Sequence, residues 1–351
     1  MISDERFLHV DTILWFQNYQ MNCHKYNRNS VLKTLQRRYI PWHHVLLEKF
    51  PKTLHREVLT VYQDQTTRKS VPEHLHFHHH HNAMKGACNL HCNTALELNT
   101  YIVASSRLPA NFEGYRIAHV SDMHNVQIGK DNEKIITMLR EADPDMIAIT
   151  GDLIDSRNTN VEIALRFVQE AMKIAPCYYV TGNHEARKSE YDELKIGMVS
   201  IGVLILEDER TEININGDAI TLIGVNDPSF QTDYLFGDSE VIINDKLTEL
   251  HTDGSGFTML LSHRPELFST YVDHDIDLVL SGHAHGGQFR FPLVGGIVAP
   301  NQGFFPNYDA GIYTDGNTNM MVSRGIGNSI LPLRINNRPE VILIELTTNL
   351  H

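Results

Sequence analysis

Residues 276–288 read IDLVLSGHAHGGQ. The run Ile276–Leu280 is short and apolar and is followed by small residues, a pattern typical of a buried β-strand that ends in a turn. The next residues place His283 and His285 one position apart between glycines, where imidazoles pack poorly but are well placed to bind a metal ion. Taken alone, this pair is also compatible with two solvated turn histidines, so the interpretation depends on the rest of the chain.

Apolar segments that end in polar residues recur from residue 115 onward. They predict strands at Arg116–Val120, Met146–Ile149 and Cys177–Val180, with amphipathic helices at about 132–141 and 161–173 between them. This alternation indicates βαβ units and a mainly parallel sheet. In such sheets ligands bind at the carboxyl ends of the strands, which is where the polar residues lie.

The second half of the chain predicts a further sheet of a different kind. The turn Asn216-Gly217, between alternating segments at 212–215 and 219–223, indicates an antiparallel hairpin. Strands are also expected at Thr258–Leu261, Met320–Val322 and Val341–Ile344. Two sheets packed face to face, with helices outside them, account for both halves and define an α/β fold.

Five strand ends carry side chains that can bind metal ions: Asp122 and His124, Asp152, Asn183 and His184, His263, and His283 and His285. Singly, an aspartate there is compatible with a helix cap, an asparagine with a left-handed turn, and a histidine with an ordinary loop. If each had such a separate explanation, five independent coincidences at successive strand ends would be needed. The set therefore indicates one shared site.

The chemistry of these side chains favours a hydrolytic metal centre. Carboxylate, amide and imidazole donors without thiolate favour manganese, iron or zinc. The donors suffice for two ions, with one carboxylate left to bridge them. Two ions about 3.5–4 Å apart can stabilise the attacking and leaving oxygens of an in-line displacement and lower the pKa of a shared water toward about 7.

These residues resemble the five sequence blocks of the calcineurin-like metallophosphoesterase family, in the family's order and over about residues 100–347. The blocks are Asp122-x-His124, Gly151-Asp152, Gly182-Asn183-His184-Glu185, His263 and Gly282-His283-x-His285. More narrowly, the segments at 108–122, 286–288 and 323–328 resemble a bacterial subgroup of phosphodiesterases or phosphohydrolases. Members of that subgroup often carry an N-terminal membrane anchor or export signal.

The resemblance implies a fold and a role for each site residue. The fold is a four-layer α/β/β/α sandwich of two mixed sheets. One metal ion would be held by Asp122, His124 and His285, the second by Asn183, His263 and His283, and Asp152 would bridge both. His184 matches the residue that donates a proton to the leaving group or stabilises the transition state. Asp155 matches a carboxylate that orients a ligand histidine, and Glu185 replaces the aspartate common at its position.

The leading hypothesis is therefore a phosphodiesterase that depends on two divalent ions (manganese, iron or zinc). A hydroxide bridging the ions would attack phosphorus while His184 protonates the departing alkoxide. The substrate would be a small phosphate ester or a lipid headgroup. One alternative is a pyrophosphatase acting on nucleotide- or lipid-linked diphosphates, with the loop Gly303–Tyr308 as an apolar rim.

The first hundred residues contain twelve of the 21 histidines and have little regular patterning. We divide the chain into a His-rich leader at 1–98 and a metallophosphoesterase domain at 99–351. The stretch His74–His81 and the nearby Cys88 and Cys92 are compatible with metal storage, which makes a metal-sequestering protein an alternative from another class. The interpretation that we favour is a compositionally biased tail, or an extension of the coding region, that has no role.

Composition bounds the remaining possibilities. Four cysteines are too few for a disulfide scaffold in 351 residues, and a net charge of −13 argues against nucleic acid as a partner. The sequence shows neither an apolar run of about 18 residues nor a secretory signal, which predicts a cytoplasmic protein as written. The resemblance to the bacterial subgroup favours membrane association or export instead, and peripheral association is compatible with both. Oligomeric state is left open.

Overall fold

The computed structural model describes residues 95–231, 238–250, 256–291, 294–328 and 334–349. Strands and helices alternate through this part of the chain. The strands are β1 (Glu97–Ala104), β2 (Arg116–Val120), β3 (Met146–Thr150), β4 (Cys177–Val180), β5 (Leu204–Ile205), β6 (Glu209–Ile215), β7 (Asp218–Gly224), β8 (Thr258–Leu261), β9 (Leu278–Ser281), β10 (Arg290–Phe291), β11 (Gly295–Gly296), β12 (Val298–Ala299), β13 (Gly303–Phe304), β14 (Gly311–Asp315), β15 (Thr318–Val322) and β16 (Glu340–Thr347). The α-helices are α1 (Glu133–Ala142), α2 (Val161–Ala171), α3 (Glu190–Ile201), α4 (Ser239–Leu250) and α5 (Phe268–Asp273).

Twelve of these strands form two six-stranded mixed sheets. The first has the order β1-β16-β2-β3-β4-β5, and only its β16–β2 pair is antiparallel. The second has the order β14-β15-β9-β8-β7-β6, with parallel pairs in the middle and antiparallel pairs at both ends. One of those end pairs is the predicted hairpin, in which Ile215 pairs with Asp218 across the Asn216-Gly217 turn.

Three apolar cores separate four layers. Helices α1–α3 pack on the outer face of the first sheet, for example through Ile135, Leu139 and Phe167. The inner faces of the two sheets pack on each other through residues such as Ile117 and Leu222. Helices α4 and α5 cover the outer face of the second sheet. Because the central strands are buried on both faces, they read as continuous apolar runs. The predicted α/β/β/α sandwich is confirmed.

The elements that were not predicted from the sequence include α3, α4 and β1, and the reasons differ. Helix α3 buries Leu194 and Met198 but exposes Ile196 and Val199, so its apolar residues do not mark a single face. Helix α4 likewise has weak amphipathic patterning. Strand β1 begins at Glu97 and pairs with β16, so the last two residues assigned to the leader belong to the first sheet. Leader residues 1–94, with their histidine and cysteine clusters, lie outside the described residues.

The carboxyl ends of strands from both sheets meet at one edge of the molecule. The ring of His263, just after β8 of the second sheet, bonds through Nδ1 to the carbonyl of Thr150 at the end of β3, at 2.7 Å. The backbone N–H of His283, after β9, donates to both carboxylate oxygens of Asp122, after β2. These contacts bring the residues after β8 next to those after β3, and the residues after β9 next to those after β2.

Candidate metal centre

The loops that form the site have a strained backbone at the predicted ligands. Five of the ligands have a positive φ: Asp122 (53°), His124 (47°), Asp152 (52°), His283 (67°) and His285 (49°). Such conformations cost about 1–3 kcal/mol each and concentrate at functional sites. Glycine is required at one close approach of the loops, because a Cβ at Gly182 would overlap Asp152 Oδ1.

A first group of donors consists of Asp122, His124 and His285, all buried. The Nε2 atoms of the two histidines lie 3.1 Å apart, and His285 Nε2 lies 3.3 Å from Asp122 Oδ1. Burial lowers the pKa of His124 to about 3 and that of His285 well below its usual range, so both rings are neutral. Neutral imidazoles can each offer a lone pair on Nε2. A cation between the two rings could therefore bind both Nε2 atoms.

A second group consists of Asp152, His263 and His283. The bond from His263 Nδ1–H to Thr150 directs Nε2 toward Asp152 Oδ2, at 3.3 Å. Burial alone would lower the pKa of His263, but the charges of Asp152 and Asp122 raise it to about 10. Without a metal ion, the protonated His263 therefore balances the buried carboxylates, and a divalent ion would replace that proton.

Asp152 lies between the two groups. Its Oδ1 accepts the backbone N–H of His184 at 2.8 Å. Its Oδ2 is 3.5 Å from His124 Nε2 and 3.3 Å from His263 Nε2, so one oxygen faces both groups. This is the arrangement that a bridging carboxylate requires.

Asn183 lies beside the second group of donors. One terminal atom of its amide lies 2.8 Å from His283 Nδ1, so the amide oxygen and that ring nitrogen could ligate one ion. The residue also lies in the buried part of the site. We conclude that the residues present fit two divalent ions.

His184 lies at the edge of the site and is more accessible than the other donors, with 13% of its side chain exposed. Its ring is T-shaped against that of His124, with the centroids 4.4 Å apart. Nδ1 accepts the backbone N–H of Ser156 at 2.9 Å and lies 3.5 Å from Asp155 Oδ1. Asp155 thus faces His184 rather than a histidine of either donor group.

The carboxylate of Asp155 remains ionised. Burial would raise its pKa, but the nearby His184 ring and the hydrogen bonds and charge of Arg157 hold that pKa well below its usual range. Arg157 forms a salt bridge with it at 2.6 Å. The position of Asp155, three residues after Asp152, brings it to the loop after β4 because the loops after β3 and β4 run side by side.

Glu185 has a role that the sequence did not reveal. It is fully buried, and its Oε2 accepts the backbone N–H groups of Asp152 and Gly182 at 2.9 and 2.8 Å. Its Oε1 accepts that of Ile154 at 3.2 Å. Burial, together with the charge of Asp152, raises the pKa of Glu185 to about 7. This carboxylate ties the loop after β3 to the loop after β4.

Two further residues contact the predicted ligand His283. Arg264 is 2% exposed, binds Asp227 through two hydrogen bonds of 2.5 and 2.8 Å, and reaches His283 Nε2 at 3.2 Å. Asn301, at the tip of the β12–β13 hairpin, places Oδ1 3.3 Å from the same nitrogen. The position of Arg264 directly after His263 was the available sequence signal, whereas nothing in the sequence placed Asn301.

The described cysteine does not take part. Cys177 lies on β4 in the core beneath the helices, and burial raises the pKa of its thiol to about 12. The site thus offers oxygen and imidazole donors alone, a set that favours manganese, iron or zinc.

Comparison with known proteins agrees with this geometry. A family model described as calcineurin-like phosphoesterase matches residues 115–287. The chain is 30% identical over 258 residues to the uncharacterized metallophosphoesterase YkuE of Bacillus subtilis, a match that covers 72% of this chain and 85% of that protein. It is 27% identical over 242 residues to the phosphodiesterase YaeI of Escherichia coli, covering 67% of this chain and 83% of YaeI.

The chain belongs to the calcineurin-like phosphoesterase family and is thus a hydrolase of phosphate esters, as predicted. Membership implies divalent metal ions as cofactors. A third relative, the transmembrane protein with metallophosphoesterase domain of Bos taurus, is 29% identical over 253 residues, which are 70% of this chain and 55% of the bovine protein. Among the described residues of the present chain, no helix combines the length and apolar character needed to span a bilayer.

We expect Glu185→Gln to weaken metal binding, whereas Glu185→Asp retains most of it. A glutamine amide places an N–H donor where a backbone N–H now points, which leaves buried donors unsatisfied at a cost of about 1–3 kcal/mol. Thermal unfolding and Mn²⁺ titration of both variants measure the effect. Wild-type metal affinity in Glu185→Gln would contradict the role of this carboxylate in holding the two loops.

Metal binding should release protons, and the apparent affinity for Mn²⁺ should rise between about pH 6 and 9. The reason is that His263 is protonated in the metal-free protein and must lose that proton to act as a ligand. Calorimetric titrations in two buffers with different ionisation enthalpies measure the number of protons released. His263→Asn serves as the matched variant and should release fewer; equal release from both proteins would exclude His263 as the source.

Proposed function

We propose that the protein is a phosphodiesterase that binds two divalent ions at this centre. The observation that carries the proposal is the position of Asp152 Oδ2, which faces both donor groups at 3.3 and 3.5 Å. The proposed ligands of the first ion are Asp122, His124 and His285, and those of the second are Asn183, His263 and His283. When bound, the ions would acidify a water molecule and neutralise negative charge that develops on the phosphoryl group.

The chain's own residues would stabilise the departing oxygen. Because the N–H of Ser156 points at His184 Nδ1, the neutral ring carries its hydrogen on Nε2. That N–H can donate a hydrogen bond to the leaving-group oxygen as charge develops there. Full proton transfer requires the cationic ring, for which Asp155 offers an acceptor 3.5 Å from Nδ1. The geometry of the neutral ring favours the first of these two roles.

A second candidate is hydrolysis of nucleotide- or lipid-linked diphosphates. The hairpin β12–β13 borders the site through Asn301 and carries Phe304, whose side chain is 53% exposed. An exposed aromatic ring on the hairpin that borders the centre is compatible with a substrate that has an apolar or planar group. Aryl phosphodiesters, phosphomonoesters, UDP-sugars and lysophospholipids, assayed side by side, separate this candidate from a simple diesterase.

Removal of the metal should abolish turnover of aryl phosphodiesters, and Mn²⁺ should restore it. The expectation follows from the proposed role of the two ions, which would acidify a water molecule and neutralise charge that develops on the phosphoryl group. The measurement is the hydrolysis rate of a nitrophenyl phosphodiester after chelation and after repletion. Unchanged turnover in metal-free protein would refute the metal-dependent mechanism.

Asp152→Asn should reduce activity more than His184→Asn, because it alters both proposed metal sites while His184 acts on the leaving group alone. Metal content per chain and kcat/KM should fall together in Asp152→Asn, whereas His184→Asn should retain its metal. Normal metal content and activity in Asp152→Asn would contradict bridging. If most bound metal were held by the His-rich leader, the content would be the same in wild type and Asp152→Asn.

A further inference from the structure

The hairpin β12–β13 is bonded to the turn that carries the ligand histidines. The backbone N–H of Ile297, at the start of the hairpin, donates to the carbonyls of Gly287 and Phe289 at 3.1 and 3.0 Å. A Cβ at Gly287 would lie 2.4 Å from the Cα of Gly296, so the two segments pack backbone against backbone. These contacts fix the position of the hairpin relative to His283.

The tip of this hairpin presents Asn301 to the site. Gln302 and Tyr308 stabilise the tip through two hydrogen bonds, from Gln302 Nε2 to the Tyr308 carbonyl at 2.8 Å and from the Tyr308 N–H to Gln302 Oε1 at 2.9 Å. Asn301 has a φ of 59°, in the left-handed region that asparagine tolerates better than most residues. Although Asn301 is exposed, its Oδ1 lies 3.3 Å from Nε2 of the buried His283 ring.

The two neighbours of His283 Nε2 favour opposite positions of the ring hydrogen. Arg264 Nη1, 3.2 Å away, can only donate, so this contact requires a lone pair on Nε2 and places the hydrogen on Nδ1. Asn301 Oδ1 can only accept, so it requires the hydrogen on Nε2. A neutral imidazole carries one ring hydrogen and cannot satisfy both neighbours at once.

Metal binding decides between these two tautomers. Nδ1 of His283 lies 2.8 Å from a terminal atom of the Asn183 amide and is therefore the ring nitrogen that can share an ion with it. To bind that ion, Nδ1 needs a lone pair, which places the hydrogen on Nε2. Among the described residues, Asn301 Oδ1 is the acceptor within hydrogen-bond distance of Nε2. Arg264 gives up its contact with the ring and keeps its hydrogen bonds to Asp227.

We propose that Asn301 is a positioning residue for the second ion, which accepts the hydrogen of His283 Nε2 and thereby keeps Nδ1 available as a ligand. The inference rests on the proposed function, because it takes His283 and Asn183 as ligands of that ion. Partners that hold the other nitrogen of a ligand histidine typically contribute about 10- to 100-fold to metal affinity. Because water can reach the exposed tip and replace part of the side chain, we expect an effect of about 10-fold.

The test is calorimetric titration of the metal-free, full-length chain with Mn²⁺. Asn301→Gly removes the acceptor but suits the left-handed backbone, so the binding of one ion should weaken by about 10-fold while that of the other is unchanged. Asn301→Asp keeps an acceptor at the same place and should bind Mn²⁺ at least as tightly as the wild type. Asn216→Gly is the matched control, because it makes the same change at another left-handed position (φ 49°), on the turn before β7, and should bind as the wild type does.

A double variant separates this role from a general effect of the hairpin. In His283→Asn the acceptor has no ring nitrogen to act on, so the addition of Asn301→Gly should leave the remaining Mn²⁺ binding unchanged. Any Mn²⁺ that the His-rich leader binds is common to all variants and cancels in the comparison.

Three results would overturn the inference while the proposed function stands. They are wild-type Mn²⁺ binding in Asn301→Gly, a loss in Asn301→Asp as large as that in Asn301→Gly, and a further loss in the double variant. Wild-type metal binding and turnover of a nitrophenyl phosphodiester are measured in parallel. A wild type that binds no Mn²⁺ refutes the proposed function and this inference with it, whereas one that binds two ions without turnover refutes the proposed function alone.

Discussion

The burial of two aspartates among imidazoles, where two sheets meet, is the constraint on which the site depends. Asp122 and Asp152 are almost fully buried, and their charges raise the pKa of the neighbouring His263 to about 10 against the effect of its burial. Isolated buried carboxylates are strongly disfavoured, so such a pair persists only with compensating cations or hydrogen bonds. The backbone N–H groups of His283 and His184 supply part of that compensation. Divalent ions would supply the rest.

The loops accept local strain in order to keep these groups together. Five predicted ligands adopt a left-handed backbone conformation that most residues avoid. Glu185 accepts three backbone hydrogen bonds and thereby ties two of the loops together. The packed sheets hold the strand ends rigidly, which is why the strain does not relax. Stability of the sandwich and geometry of the site are consequently linked through the same few loops.

Much of this arrangement could be predicted because two rules act together in the sequence. Buried parallel strands read as apolar runs, and their carboxyl ends are where ligands gather, so Asp152 and His283 could be assigned to one site although 131 positions separate them. The resemblance to the sequence blocks of the family then predicted which ion each of these residues would bind. Helix α3 was missed because Ile196 and Val199 are apolar yet exposed.

Other features depend on tertiary contacts that no local pattern encodes. From sequence, Glu185 is an acid beside two metal-binding residues, and its backbone partners only become apparent when the loops after β3 and β4 lie together. The contact of Asn301 with His283 likewise requires the hairpin β12–β13 to fold back over the site. The predicted role of Asp155 as a partner of a ligand histidine depended on the same unseen loop geometry, and the carboxylate instead lies beside His184.

The placement of β16 has a consequence for biosynthesis. This strand, from Glu340 to Thr347, lies between β1 and β2, so β1 joins the rest of its sheet through residues that are synthesised after every other described strand. Until they emerge, β1 lacks its neighbour and β2 presents an open edge, the kind of surface that promotes aggregation. The first sheet therefore cannot be completed before β16 has been synthesised.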